Sequence, residues 1–184
     1  MTGPWWAAAA VAALEPLLTP GGRVLEWGAG GSTVWLAAHG QHVTTVESDL
    51  EWATWVRDRC PGVDVRHVPG TLDGTIRSEP GLGDGGRHCF DAYVAVADEF
   101  TPGSLDLVVI DGMCRAECAQ RAARLLRPGG IAVLDDTNLD FLAAAGAAAF
   151  AGWPVLRTAG TKHDASGVWE TSIYRNVASA THMV

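Results

Sequence analysis

In Val24-Leu25-Glu26-Trp27-Gly28-Ala29-Gly30-Gly31-Ser32-Thr33 a short apolar run ends in an acid, breaks into glycines and leads into a helical pattern. Glycine lacks a Cβ, so the main chain of such a turn can lie against a bound molecule, and the free N–H groups opening the next helix can hold that molecule's polar end. This is the chemistry of gripping a nucleotide-like cofactor. About 20 residues further on, Glu47 closes a second apolar run, Val43 to Val46, where an acid can accept hydrogen bonds from ribose hydroxyls. Asp111, Asp135 and Asp136 follow two later apolar runs. Three carboxylates brought to one sheet edge repel one another unless a cation, a donor or a proton intervenes. One solution is a magnesium ion, which prefers oxygen ligands and would organise vicinal hydroxyls of a substrate. Another is an aspartate of raised pKa serving as general base. Asp136 also stands where it could cap the helix opening near Asn138.

The elements that must position these residues alternate. Thr2-Gly3-Pro4 predicts a helix start, with the helix from Trp5 to Leu18 ahead of Pro20-Gly21-Gly22. Strands are expected at Arg23–Trp27, His42–Glu47, Val63–Val68, Leu105–Asp111 and Ile131–Asp135. Helices are expected at Thr33–His39, through Cys60 from a capping box at Ser48-Asp49-Leu50-Glu51, at Phe90–Phe100, at Arg115–Leu126 and at Leu139–Phe150. Arg127-Pro128-Gly129-Gly130 reads as the stop of the Arg115 helix, Pro69 to His88 as an irregular loop, and Val155–Thr158 with Val168–Arg175 as an antiparallel pair. Alternation of this kind implies an α/β fold with a mostly parallel sheet, helices on both faces and ligands beyond the carboxyl ends of the strands. Glu26, Glu47, Asp111, Asp135 and Asp136 fall at those ends.

A chain of 184 residues, 48% of them apolar, is expected to form one domain, residues 1–184, in which cofactor and substrate share one sheet edge. Its formal charge of -8, with acids and bases interspersed, argues against nucleic acid or an anionic membrane and for a small-molecule substrate. The alanine-rich opening has no basic region before it and no apolar stretch reaches a membrane span, so a mature N-terminal helix and a cytoplasmic location are expected. Residues 178–184 read as a loose tail. Cys60, Cys89, Cys114 and Cys118 lack the paired spacing of a zinc site and read as buried thiols.

From Val24 to Tyr174 these residues resemble the class I S-adenosylmethionine-dependent methyltransferases. Glu26-Trp27-Gly28-Ala29-Gly30 is similar to that family's first motif, Glu47 to its ribose-binding acid, Leu105 to Gly112 to its fourth motif, and Leu125-Leu126-Arg127-Pro128-Gly129-Gly130-Ile131 to the turn entering its fifth strand. The resemblance implies a Rossmann-like three-layer sandwich with a reversed last strand. It also implies S-adenosylmethionine as cofactor, held by Glu26, Gly28, Ala29, Gly30, Ser32, Thr33, Glu47, Ser48 and Asp111. The expected activity is methyl transfer to a small molecule, oxygen ahead of nitrogen.

The sequence also departs from the family. After strand three, where many members carry an adenine-binding acid, Val68-Pro69-Gly70-Thr71 stands, leaving Asp73 or the Phe90–Tyr93 segment for that task. The Pro-Pro-aromatic motif of enzymes that methylate nucleobase amino groups is absent after strand four. The Asp111 and Asp135-Asp136 pattern is similar to that of cation-dependent O-methyltransferases, but the lysine they carry shortly after the first aspartate is missing, with Cys114-Arg115 nearby. Rival uses of the same cofactor are cyclisation, transfer of its aminocarboxypropyl arm, or binding without catalysis. Thr33 in place of a third glycine speaks against a nicotinamide enzyme. Trp5 and Trp6 are expected to wall the active edge, and His163 and Asp164 to be solvated. Gly28→Val is expected to remove cofactor affinity while leaving the fold intact.

Overall fold

Apolar runs flanked by glycine, proline and aspartate become seven strands in the computed structural model, which describes residues 3–79, 84–162 and 167–177. His163, Asp164 and the Ala178–Val184 segment lie outside the described residues. The strands are β1 (Arg23–Trp27), β2 (His42–Glu47), β3 (Asp64–His67), β4 (Leu105–Ile110), β5 (Leu126–Leu134), β6 (Val155–Thr161) and β7 (Val168–Arg175). They form one sheet of order β3-β2-β1-β4-β5-β7-β6. Neighbours from β3 to β5 pair parallel, whereas β7 pairs antiparallel with both β5 and β6. The expected reversed last strand is therefore β7, placed inside the sheet.

The helices are α1 (Ala8–Leu14), α2 (Gly31–Ala38), α3 (Leu50–Arg59), α4 (Asp91–Ala95), α5 (Arg115–Leu125) and α6 (Asp140–Ala149). Successive strand residues point to opposite faces, so the sheet has a core on each side. Leu25, Val108, Ile110 and Leu134 pack under Tyr93, Cys118 and Phe150 on one face. Val24, Leu107, Val109 and Val133 pack under Trp6, Leu14 and Leu36 on the other. Helix layers on both sides give the three-layer α/β sandwich. Beyond β1 the chain runs to β2 and β3 on one side, and β4 returns to the other flank of β1. A crevice opens at such a switch point, above the carboxyl ends of the strands.

Several boundaries differ from expectation for physical reasons. The first helix starts at Ala8, not Trp5, because Trp6 is drawn into the core with its indole donating to Asp111, and residues 15–17 tighten into a 3-10 turn at Pro16. Asp49, not Ser48, caps α3, its carboxylate accepting the Glu51 and Trp52 N–H groups; the Ser48 N–H is already given to Glu47. The Arg127–Gly130 turn does not precede β5 but bulges within it: Leu105 pairs with Leu126 and Leu107 with Ile131, and Asn176 Nδ2 donates to the Leu126 and Arg127 carbonyls. The Phe90 helix divides into α4 and a 3-10 turn, Val96–Glu99. All four cysteines are free and buried.

Candidate active site

The glycine turn between β1 and α2 is braced from behind by Glu26. This side chain is fully buried. Ser32 Oγ and Thr33 Oγ1 donate to its two oxygens at 2.6 and 2.5 Å, and Thr33 Oγ1 in turn accepts the Gly30 N–H at 2.9 Å. Burial lifts the Glu26 carboxyl from its ordinary 4.5 to about 7, against the pull of the Ser32 and Thr33 hydroxyls. Gly28 has φ +98°, and a Cβ there would stand 2.7 Å from the Asp111 carbonyl and the Gly112 nitrogen. Its bareness thus lets the ends of β1 and β4 touch, so the expectation that Gly28→Val spares the fold is corrected: a side chain there strikes main chain.

Glu47 ends β2 with both carboxylate oxygens engaged by main chain. Oε2 accepts the Ala29 N–H at 2.8 Å, and Oε1 accepts those of Ser48 and Asp49 at 2.7 and 2.8 Å. Burial raises its pKa while these N–H groups lower it. The acid at the end of β2 is in this way pinned against the glycine turn.

Above the turn lies a cleft of about 520 Å³. Gly28, Ala29, Gly30, Ser32, Glu47, Ser48, Asp111 and Asp136 line it. Glu26, Thr33 and Asp135 stand behind its wall. Neither Asp73 nor the Phe90–Tyr93 segment is among its lining residues, whereas Trp52 and Met113 are. Trp5 meets Trp52 edge-on at 6.3 Å over the rim, and Trp6, 2% exposed, reaches Asp111 Oδ2 with its Nε1–H at 3.1 Å. Trp5 lines the cleft as expected, whereas Trp6 is buried beside Asp111 and is not among the lining residues; both stand in bends ahead of α1 rather than in a helix.

The three aspartates converge, each bringing one carboxylate oxygen within 4.8 Å of the other two. Among the described residues, two side-chain cations answer them. Arg115, at the start of α5, joins Asp111 Oδ1 at 3.1 Å to Asp136 Oδ2 at 2.9 Å and donates to the Asp111 and Gly112 carbonyls, tying the end of β4 to that of β5. Lys162, at the end of β6, places Nζ 2.7 Å from Asp135 Oδ2 and 2.5 Å from Asp136 Oδ1. Thr171 Oγ1, on the intervening β7, donates to Asp135 Oδ1. Burial is the largest influence raising the Asp111 and Asp135 carboxyls above the usual range; for Asp135 the neighbouring aspartates add to it, and Arg115 and Lys162 oppose it.

Asp136 and Cys114 hold left-handed backbone, φ 58° and 52°. Asp136 is held there by its ion pair with Arg115, and Cys114 immediately precedes α5, the helix that carries that arginine. The Asp136 side chain goes to Arg115 and Lys162 and not to a helix cap. Sequence reasoning marked the aspartates and noted Arg115, but not Lys162. Lys162 lies 26 positions from Asp136 and meets it only because β6 closes the sheet beyond β7. A divalent ion fits this cluster poorly, since Lys162 and Arg115 already occupy the carboxylate edges it would need.

A methyltransferase domain family matches residues 25–137. No curated protein matches the chain. Among solved structures, a methyltransferase-like protein of Silicibacter pomeroyi is 27% identical over 95% of this chain and 88% of its own, with a TM-score of 0.58. The 1,6-didemethyltoxoflavin-N1-methyltransferase of Burkholderia thailandensis, solved with bound 1,6-didemethyltoxoflavin and S-adenosylhomocysteine, is 18% identical, covering 92% of this chain and 77% of its own at a TM-score of 0.57. A spermidine synthase of Thermotoga maritima, 11% identical and covering 90% and 57%, shares the fold at a TM-score of 0.60. The fold is thus common to enzymes named for different reactions, and the reaction must be argued from the site.

Proposed function

We propose that this chain, which belongs to the methyltransferase domain family, transfers a methyl group from S-adenosylmethionine to a hydroxyl of a small, uncharged acceptor. The observation that carries the reading is one cleft lined by two chemically different groups: the bare turn with the pinned Glu47, and the Asp111–Arg115–Asp136–Lys162 cluster. S-adenosylmethionine suits the first. An added Cβ at Gly30 would meet no atom within 4 Å, so the turn offers open space, and Glu47 and Ser48 line the same cleft as the groups we assign to the ribose hydroxyls. When bound, this cofactor supplies a methyl made electrophilic by the sulfonium.

The chain's residues then have three tasks. The tryptophan rim excludes water, and the strand ends fix the acceptor in line. Asp111, with 18% of its side chain exposed, reaches the cleft and takes the hydroxyl proton as methyl is transferred. Among the described residues three carboxylates face two cations, a formal balance with no surplus positive charge to draw an anionic acceptor.

The test is product analysis by mass spectrometry after incubation with S-adenosylmethionine and a panel of phenols, alcohols, amines and carboxylic acids. Gain of one methyl on a hydroxyl, with S-adenosylhomocysteine formed, is the expected result. Methylthioadenosine as by-product means transfer of another arm of the cofactor and overturns the reading. Cofactor binding with no product across the panel favours a catalytically silent module.

A further inference from the structure

Three carboxylates, each bringing one oxygen within 4.8 Å of the others, form an arrangement that could hold a divalent cation. In this chain a cation is already seated on two of them. The Lys162 side chain, 14% exposed, crosses from the end of β6 over Thr171 of β7 to Asp135 and Asp136, which are 0% and 7% exposed. The Trp169 ring, its centroid 4.8 Å from Nζ, favours the charged ammonium from another side. Arg115 occupies the remaining edge, between Asp111 and Asp136. Removing one partner from such a buried set leaves uncompensated charge, which is strongly unfavourable unless another cation enters.

We propose that Lys162 is a resident replacement for a divalent ion: it orders Asp135 and Asp136 beside the acceptor end of the cleft, and its removal uncovers a latent cation site made by Asp111, Asp135 and Asp136. Lys162 is accordingly a positioning residue, and the protein organises its acceptor edge with its own cations. The same placement makes the enzyme indifferent to chelators. Only this last consequence rests on the methyl-transfer reading; the cation exchange itself does not.

The experiment is manganese binding, read as loss of the free-ion electron paramagnetic resonance signal, for the wild type, Lys162→Met, Lys162→Arg and the double variant Asp135→Asn/Lys162→Met. Circular dichroism monitors folding alongside. Wild type and Lys162→Arg are expected to bind no Mn2+ at millimolar concentration. Lys162→Met is expected to bind at least about tenfold more tightly than wild type, and to gain thermal stability when Mn2+ is added. The double variant, which restores the original charge balance with one ligand fewer, is expected to fold and to bind none. If Lys162→Met is unfolded alone and recovers its fold with Mn2+, that equally supports the exchange.

The proposal is overturned if the wild type binds Mn2+ and Asp135→Asn abolishes that binding. It is also overturned if Lys162→Met stays folded without gaining affinity, or stays unfolded with Mn2+ while the double variant folds. Failure of the wild type to bind S-adenosylmethionine would remove the methyl-transfer reading while leaving the manganese results to stand by themselves.

Discussion

Gly28 and Gly30 sit two residues apart in one turn, yet their replacement by alanine should have opposite consequences. At Gly28 the backbone is left-handed, φ +98°, and the new Cβ would lie 2.7 Å from Asp111 and Gly112 main-chain atoms. The left-handed penalty is about 1–2 kcal/mol. Overpacking against main chain that cannot rotate away adds about 1–3 kcal/mol. With roughly 3 kcal/mol lost and about 2–4 °C per kcal/mol for a chain of this size, Gly28→Ala should lower Tm by about 6–12 °C.

At Gly30 φ is 178°, extended backbone that any residue adopts, and the added Cβ meets nothing within 4 Å. Its N–H stays bonded to Thr33 Oγ1. Gly30→Ala should therefore keep stability within about 0.5 kcal/mol. The methyl it adds projects into the cleft, so the Kd for S-adenosylhomocysteine should rise by about tenfold or more, equivalent to about 1.4 kcal/mol. Thermal unfolding by circular dichroism and isothermal titration calorimetry read the two quantities separately. Unchanged affinity in Gly30→Ala would remove the cleft as the cofactor site, and unchanged Tm in Gly28→Ala would refute the contact between the ends of β1 and β4.

Glu47→Gln exchanges a carboxylate that accepts three main-chain N–H groups for an amide that turns a donor toward them. A loss of about 2–3 kcal/mol in stability is expected by urea unfolding, with a weaker cofactor Kd beside it. Glu26 supplies a pH dependence. Its folded-state pKa of about 7 lies above the ordinary 4.5, so its stabilising contribution is fully present below 4.5 and is lost as pH rises through 7. Wild-type stability should fall by on the order of 3 kcal/mol between pH 4.5 and 8 from this group, and Glu26→Gln should flatten that slope in urea titrations at several pH values.

Much of this architecture was legible in the chain because it rests on local signals. β1, β2 and β7 fall where alternation and flanking turn residues place them, and the paired glycines after Trp27 mark the turn whichever contacts surround it. The acids at the strand ends could be picked out too, since a parallel sheet brings the carboxyl ends of its strands to one edge whatever the details of packing. Local pattern failed where a distant partner outweighed it. Trp5 and Trp6 fit a helix by composition, but the Trp6–Asp111 hydrogen bond and burial of the indole keep that segment out of the helix. The Arg127–Gly130 turn reads as a helix stop, yet Asn176, almost 50 residues later, satisfies its carbonyls and keeps it inside a strand.

The sequence by itself determined the strand order's raw material, the glycine turn after β1 and the presence of three carboxylates at one edge, because periodicity and glycine placement act within a few residues. What neutralises those carboxylates was decided only by tertiary structure. Charge compensation depends on distance in space and on the dielectric around the group, and Lys162 reaches Asp135 and Asp136 only after β6 and β7 have closed the sheet. The separation of Glu26, fully buried as a brace, from Glu47, which is 8% exposed and lines the cleft, was likewise settled by packing. Both are acids at the end of an apolar run, and only the third dimension tells them apart.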